Sequence, residues 1–246
     1  KLISTLEERL EIIGSIGIDL TVVLPFTYEF SRQSSREFYE RCIVESVGVR
    51  EVVEGHDHMF GRDREADIDQ LRTLGQSYGF NVIAASPVTV DGDVVSSSKI
   101  REALMRGEVA QAGKYLDRPY TITGIVVRGD GRGKQLGFPT ANIRPASEKK
   151  VVPAEGVYVV SVAHDARQFN GMLNIGVRPT FSSTLDRVIE VHLFDFQEDL
   201  YGKQLTIQFH KRLRQERKFS SKEELVAQLL RDREECMKYI GASQPV

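Results

Sequence analysis

The sequence predicts two domains of different fold class, an α/β domain with a parallel sheet and then an antiparallel β-barrel or sandwich with a C-terminal helix. In the first part of the chain, apolar residues at helical spacing alternate with short β-branched runs, an order typical of a doubly wound parallel sheet. In the second part, short strand-like runs follow one another across polar and glycine-rich turns, as in antiparallel sheets. The length of 246 residues fits one large domain or two modest ones.

The boundary between the two domains is predicted at Asp117-Arg118-Pro119. Proline disfavours helix in the residue before it, and the residues that follow, 120–127, are strongly strand-like. We therefore predict an α/β domain at residues 1–117 and a β-rich domain at residues 118–246.

Each element of the first domain has its own signal. Ser4 or Thr5 with Glu7 and Glu8 forms a capping-box pattern, which predicts a helix from about Thr5 to Ser15. The β-branched run 18–24, stopped by Pro25, is predicted as a strand buried on both faces. The other predicted elements are a helix capped by Ser34 or Ser35 that carries Phe38, Cys42 and Val47, a strand at 51–53, a helix from Ile68 to Tyr78, a strand at 81–85, a helix signalled from Ser96 onward and a short helix at 109–116.

The second domain is predicted as a succession of strands closed by one helix. Strands are expected at residues 120–127, 156–163, 171–175, 188–194 and 204–209. Ser220 or Ser221 with Glu223 and Glu224 caps the final helix, whose apolar side chains are available to cover the barrel.

Composition and charge exclude several classes of protein. The chain has 33 Lys and Arg against 35 Asp and Glu, a net charge of -2, so it lacks the basic field of a general nucleic-acid binder. Its two cysteines, Cys42 and Cys236, lie far apart in the sequence, which favours neither a disulfide framework nor a zinc site. We therefore expect the protein to reside in the reducing cytoplasm. The sequence shows neither an apolar run of about 20 residues nor a signal peptide, so we expect no membrane association.

The run 129–137 holds four glycines, whose backbone amides can approach a ligand closely in the way a phosphate-binding loop requires. Arg132 and Lys134 add positive charge. The run is neither a Walker A loop nor a Rossmann fingerprint, because Gln135 follows Lys134 and Phe138-Pro139 stands where a helix should begin. Its spacing fits a flexible hairpin as well as a phosphate loop.

Three side chains beyond this loop are candidates for chemistry. Thr140 and Asn142 lie two apart on an extended segment, and their oxygens are ligands that Mg²⁺ accepts beside ATP phosphates; an ordinary turn is the alternative. Glu190 shares a strand face with His192 and Phe194, opposite Ile189 and Val191. If the latter face the core, Glu190 is an exposed carboxylate; facing a closed pocket, it would be a general base.

A set of ordered motifs resembles the bacterial bifunctional riboflavin kinase/FMN adenylyltransferase (FAD synthetase) family across nearly the whole chain. The second half carries the motifs that resemble the kinase module: residues 133–142 (GKQLGFPTAN), 174–181 (NIGVRPTF), 190–192 (EVH), 199–203 (DLYGK), and Leu213, Arg214, Glu216 and Phe219. The first half resembles the adenylyltransferase module at residues 24–26 (LPF), 57–61 (DHMFG) and 95–101 (VSSSKIR). The resemblance implies a Rossmann-like nucleotidyltransferase domain followed by a riboflavin kinase β-barrel.

For the kinase module, the resemblance implies ATP-dependent phosphorylation of riboflavin to FMN. Thr140 and Asn142 would lie at Mg²⁺ and the ATP phosphates, and Glu190 would be the base that takes the proton from the riboflavin 5′-hydroxyl. The implied ATP contacts are Gly129, Gly131, Arg132, Gly133, Lys134, Gly137 and Pro139, and the implied flavin contacts are Arg178, Tyr201 and Arg214.

For the first module, the resemblance implies adenylylation of FMN to FAD. ATP and FMN would contact Ser97, Ser98 and Arg101 at a helix start and Asp57 and Phe60 in a loop, although the anion-site chemistry at 97–101 also fits an ordinary serine cap. His58 stands where many members have Phe. The family's His-x-Gly-His motif is missing, and because residues 1–10 match the helix that follows it, we expect that segment to have preceded Lys1.

Two other functions compete with this interpretation. One is a monofunctional riboflavin kinase whose first domain is only a scaffold. The other is a flavin- or nucleic-acid-binding regulator on the same barrel, favoured by six bases between residues 203 and 218, which also fit a solvated face or nucleotide phosphates. The net charge and the presence of Thr140, Asn142 and Glu190 argue against the regulator, so we predict small-molecule partners and no nucleic acid.

Overall fold

The computed structural model describes residues 1–55, 59, 61, 66–178 and 186–243. It divides into two compact units, one of Leu10–Val95 and one of Lys1–Arg9 with Ser96–Val246. Helix α1 (Leu6–Ser15) begins with the expected capping box, in which the Thr5 amide donates to Glu8 Oε2 at 2.9 Å and the Glu8 amide to Thr5 Oγ1 at 3.3 Å. The domain boundary near Asp117 stays a prediction.

The Leu10–Val95 unit contains a small parallel sheet beside helices. Its described elements are α2 (Tyr28–Ser31), α3 (Ser35–Phe38), a π-helical stretch (Tyr39–Glu45), β1 (Glu51–Gly55), α4 (Ile68–Tyr78), β2 (Asn81–Ala85), β3 (Thr89–Val90) and β4 (Asp93–Val94). β1 and β2 pair in parallel, which confirms the parallel arrangement for these two strands. Tyr39, Leu71, Leu74 and Phe80 form the core of this unit.

One predicted strand of this unit is wrong. Residues 18–24 form neither helix nor strand, and Leu20 and Val22 are 77% and 62% exposed. A β-branched run becomes a buried strand only when a neighbouring strand takes its amide and carbonyl groups, and no strand in the described part of the chain pairs with it. Val47, predicted in a helix, follows the π-helical stretch in a turn.

The second unit is built around a barrel. Its described elements are α5 (Ser97–Arg106), α6 (Val109–Leu116), β5 (Tyr120–Val127), α7 (Arg132–Gln135), β6 (Ala141–Pro145), β7 (Gly156–His164), β8 (Arg167–Arg178), β9 (Asp186–Leu193), β10 (Gln204–Arg214) and α8 (Lys222–Ser243). Among the described residues, six strands close into an antiparallel barrel in the order β10-β5-β6-β9-β8-β7. The barrel alternative is therefore confirmed over the sandwich, and β6 and α7 are additions that the sequence did not predict.

The barrel has a buried interior and a partly covered outer surface. Ile122, Leu173, Ile175, Val191 and Ile207 are almost fully buried. On the outside, α8 contacts β7, β8 and β10, and a second apolar cluster of Phe138, Val159, Met172, Phe194 and Cys236 packs with residues of this helix. One face of β7 lies in the barrel interior and α8 contacts the strand from outside, which explains why nearly every residue of β7 is buried. None of the described helices is long and apolar enough to cross a membrane.

Candidate active site

The strand register brings three polar side chains together on the outer surface of the barrel. Asn142 of β6 pairs with Glu190 of β9, and Glu190 pairs in turn with Asn174 of β8. Directly opposed residues share one face of a sheet. Ile189 and Val191 are 2% and 1% exposed in the core, so Glu190 lies on the opposite face, where it is half-buried. The two alternatives for Glu190 thus combine: it lies outside the barrel, and it also lines a cavity.

This cavity, which we call the outer cavity, has a volume of about 390 Å³. Its polar lining includes Thr140, Asn142, Asn174, Glu190, His192, Arg214 and Glu216. Gly131 and Gly133 border it from the glycine-rich loop, and Phe219, Leu225 and Leu229 border it from the segment that leads into and includes α8. A hydroxyl, two amides and two carboxylates therefore meet next to backbone amides in one concave site.

The glycine-rich loop packs directly on the two predicted metal ligands. A Cβ atom added at Gly129 would lie 2.5 Å from Cγ of Asn142, and one added at Gly133 would lie 3.0 Å from Oγ1 of Thr140. Within the loop, the Phe138 amide donates to the Gly133 carbonyl at 2.9 Å, and the Phe138 ring is buried. Only glycine fits against Thr140 and Asn142 in this way, which explains why the loop has glycine at positions 129 and 133.

His192 belongs to this site, although no local sequence pattern predicted a role for it. Its Nδ1 lies 2.8 Å from the carbonyl oxygen of Pro139, and its ring meets that of Phe138 edge-on at 5.3 Å between centroids. Burial lowers the pKa of His192, and Arg233 acts in the same direction. The signal in the sequence was its position two residues after Glu190 on the same strand face.

The outer cavity is also lined by an arginine that an ion pair holds in place. Nε of Arg214 lies 3.0 and 3.1 Å from the two carboxylate oxygens of Asp232, and one of its terminal nitrogens lies 2.8 Å from Oδ2. Asp232 belongs to α8 and is 2% exposed. The guanidinium of Arg214 also lies 5.7 Å from the centre of the Phe219 ring. Helix α8 thus holds a predicted flavin contact in place.

Glu216 is a second carboxylate in the outer cavity. Burial raises its pKa, the negative charges of Glu155 and Glu190 act in the same direction, and a hydrogen bond with Asn174 opposes them. Its carboxylate packs on Gly176, where an added Cβ would lie 2.5 Å from Oε1. Asn174 therefore touches Glu216 and is the cross-strand partner of Glu190.

A second cavity of about 400 Å³ adjoins the first and shares Thr140 with it. Lys134, Pro139 and Tyr201 line it, together with Glu198. The Arg128 guanidinium lies 5.9 Å from the centre of the Tyr201 ring. Tyr201 and Arg214, both expected to contact flavin, consequently line different cavities, and Tyr201 accompanies two residues expected to contact ATP.

The remaining predicted site residues either line neither cavity or fall outside the described residues. Ser97 and Ser98 form the exposed first turn of α5, which Ser96 caps by accepting from the Lys99 amide at 3.3 Å; Arg101 Nε donates to the Lys1 carbonyl at 2.9 Å. None of these lines either cavity. Asp57 and Phe60 lie outside the described residues, as do the side chains of Arg132 and Arg178. Gly137, with φ of 80°, lies at the turn that follows α7.

The fold and the outer cavity define a class: a protein that combines an α/β unit with an antiparallel barrel and carries a small-molecule site on the barrel surface. A sequence model for riboflavin kinase matches residues 116–240, and one for FAD synthetase matches residues 1–99. The chain belongs to the bifunctional riboflavin kinase/FMN adenylyltransferase family.

Two curated relatives agree with this assignment by name, and one solved structure is similar in fold. The bifunctional riboflavin kinase/FMN adenylyltransferase of Pseudomonas fluorescens is 42% identical over 212 residues, which are 86% of this chain and 68% of that protein. The protein of the same name from Escherichia coli K12 is 33% identical over 244 residues, 99% of this chain and 77% of that protein. A crystal structure described as a macrolide-efflux protein from Streptococcus pneumoniae superposes with a TM-score of 0.86 at 32% identity, over 94% of this chain and 74% of that one.

Proposed function

We propose that the barrel transfers the γ-phosphoryl group of ATP to the 5′-hydroxyl of riboflavin, which yields FMN and ADP. The observation that carries the proposal is the convergence of Thr140, Asn142 and Glu190 on one cavity, through the pairing of β6 with β9. The names of the relatives, riboflavin kinase/FMN adenylyltransferase, support the same reaction.

Thr140 and Asn142 fit a magnesium ion that accompanies ATP. Both offer neutral oxygen atoms, and Mg²⁺ typically takes one or two protein oxygens and completes its shell with phosphate oxygens and water. The two side chains lie against Gly129 and Gly133, so phosphate groups held by the loop would meet the ion there. When bound, the ion neutralises charge on the phosphates, which is the main chemical contribution that phosphoryl transfer needs.

Glu190 acts as the general base. Its carboxylate faces the cavity and accepts the proton of the riboflavin hydroxyl as that oxygen bonds to the γ-phosphorus. The bond between the γ-phosphorus and the oxygen that bridges to the β-phosphorus breaks, and ADP leaves with that electron pair. Arg214, held by Asp232, lines the same cavity and orients the flavin there.

Glu190→Gln tests this assignment. We expect the substitution to lower kcat at least about 100-fold, because the amide cannot accept the proton, while the affinity for ADP and Mg²⁺ changes less than about threefold. FMN is measured by HPLC after incubation with riboflavin, ATP and Mg²⁺. Glu148→Gln, at an exposed carboxylate outside both cavities, is the matched control. Normal turnover in Glu190→Gln would contradict the assignment of Glu190 as the base. Absence of FMN with the unaltered chain would contradict the kinase activity.

We propose that the chain also takes part in a second reaction, the adenylylation of FMN to FAD. ATP and FMN would contact Ser97, Ser98 and Arg101, together with Asp57 and Phe60. The match of residues 1–99 to FAD synthetase supports it. A kinase whose first domain is only a scaffold is the alternative. Two incubations with ATP and Mg²⁺, one with FMN and one with riboflavin, separate the two functions. FAD and pyrophosphate formed from FMN support adenylylation, whereas FMN formed from riboflavin with no FAD formed from FMN supports the scaffold.

A further inference from the structure

His192 joins the strand of the proposed base to the segment of the proposed metal ligands. It lies on β9 two residues after Glu190, and it contacts Pro139, the residue before Thr140. Residues 138–140 lie between α7 and β6, outside any helix or strand of the described structure. Their conformation therefore depends on contacts other than a strand ladder.

The hydrogen bond between His192 and Pro139 has only one possible direction. The Pro139 oxygen is a carbonyl and can only accept, so Nδ1 of His192 carries the hydrogen and donates it. The carbonyl belongs to the peptide group that joins Pro139 to Thr140, and fixing that peptide fixes the start of the Thr140 backbone. At 2.8 Å the bond has ordinary length.

The ring of His192 makes a second, separate contact with the same segment. It meets Phe138 edge-on at 5.3 Å and Phe194 at 5.7 Å between centroids. Phe138 and Phe194 belong to one buried apolar cluster on the outside of the barrel. Packing alone would hold the Phe138 ring, whereas the hydrogen bond acts on the peptide that precedes Thr140.

We propose that His192 is a positioning residue of the phosphoryl-transfer site, which holds the Pro139–Thr140 peptide so that the Thr140 hydroxyl lies beside Asn142 and Glu190. The proposal rests on the function proposed above. The positioning depends on the hydrogen bond from Nδ1 and not on the packing of the ring. The contributions of the hydrogen bond and of the ring packing therefore have to be separated by substitution.

Two substitutions separate the donor from the ring. His192→Asn keeps an N–H donor at the same number of bonds from the backbone as Nδ1 but removes most of the ring contacts. His192→Phe keeps an aromatic ring against Phe138 and Phe194 but has no donor. If His192 only packs, His192→Phe should keep both stability and function, and His192→Asn should lose both. If His192 positions Thr140, His192→Asn should keep function but lose stability, and His192→Phe should keep stability but lose function.

The experiment measures binding of ADP with Mg²⁺ by calorimetry, KM and kcat for ATP, and deuterium uptake in the peptide that covers residues 136–142. For His192→Phe we expect about 5- to 10-fold weaker binding of ADP with Mg²⁺, the loss expected for one hydrogen bond, and faster uptake at 138–140. For His192→Asn we expect binding within about threefold of the unaltered chain, with a lower Tm than His192→Phe.

His210→Phe is the matched control. His210 is also half-buried, has a pKa lowered by burial and lies 6.4 Å from the Tyr239 ring, but it bonds Ser161 and lines neither cavity. It should leave the binding of ADP with Mg²⁺ unchanged. The proposal is overturned if His192→Phe binds ADP with Mg²⁺ normally, or if His192→Asn is impaired as much as His192→Phe. If the unaltered chain forms no FMN while binding and uptake still follow the donor, the kinase proposal fails and the positioning role stands.

Discussion

Gly129 and Gly131 lie two residues apart in the same loop, yet a methyl group has a different consequence at each. At Gly129 it would lie 2.5 Å from Cγ and 2.8 Å from Oδ1 of Asn142, so the amide has to move. At Gly131 it would enter open space, but φ of 69° is a left-handed conformation that costs alanine roughly 1 kcal/mol. The first substitution displaces Asn142, whereas the second meets no neighbouring atom of the protein and strains the backbone.

We therefore expect Gly129→Ala to lower kcat/KM for ATP at least about 10-fold, because a displacement of an ångström at a reacting site costs up to about 100-fold. Gly131→Ala should lower it less than about fivefold and should lower the free energy of unfolding by about 1 kcal/mol. Steady-state kinetics and urea unfolding measure the two effects. An equal loss of activity in both variants would contradict a specific contact of Gly129 with Asn142.

Residue types and spacing selected Thr140, Asn142 and Glu190 but not His192, Glu216 or Asp232. The first three stand in local patterns whose chemistry is visible in a few letters. The contributions of the other three come from contacts across the fold: Asp232 meets Arg214 over 18 residues, and His192 meets Pro139 over 53. A histidine on a strand or an aspartate in a helix gives no local sign of such a partner.

At the scale of elements, helix starts were predicted better than strands. Thr5 with Glu8, and Ser34 with Glu37, form capping boxes from residues three apart, so the signal is local and complete. A strand depends on its neighbour. β6 contains Asn142, Arg144 and Pro145, a polar segment that becomes a strand because β5 and β9 pair with it, whereas the apolar run 18–24 has no strand to pair with in the described chain.

Helix α8 is fixed to the barrel by a charge pair, which gives a prediction at this scale. Asp232 is 2% exposed and bonds Arg214 and Gln228, so Asp232→Asn leaves the Arg214 guanidinium with weaker acceptors in a largely buried place. We expect a loss of about 3 kcal/mol in the free energy of unfolding, since breaking one partner of a buried pair is costly. Flavin affinity should fall with it, because Arg214 lines the outer cavity.

The control for this substitution is an exposed pair in the same unit. Glu102 and Arg106 pair along α5 with side chains 58% and 63% exposed, so Glu102→Gln should change stability by no more than about 0.5 kcal/mol. Urea unfolding followed by circular dichroism compares the two. A similar small change in Asp232→Asn would show that α8 does not depend on the pair.

At the scale of the whole molecule, apolar side chains are distributed very differently in the two units. In the barrel, Tyr120, Tyr158 and Phe209 are at most 1% exposed. Between residues 16 and 28 of the other unit, Leu20, Phe26 and Tyr28 are 72% or more exposed, and most of that stretch lies outside helices and strands. Proteases need several residues of extended, accessible chain, so exposure of this kind decides where the chain is first cut.

Limited digestion with chymotrypsin should therefore cut first within residues 20–28, while bonds after Tyr120, Tyr158 and Phe209 stay intact. Those three aromatic residues are the internal control, because the enzyme accepts their side chains equally well and only burial in the barrel protects them. The products are identified by mass spectrometry after denaturation, over a time course at low enzyme concentration. Early cuts inside β5, β7 or β10 would contradict the closed barrel, and survival of 20–28 would show that this apolar stretch is covered in solution by a second copy of the chain or by another molecule.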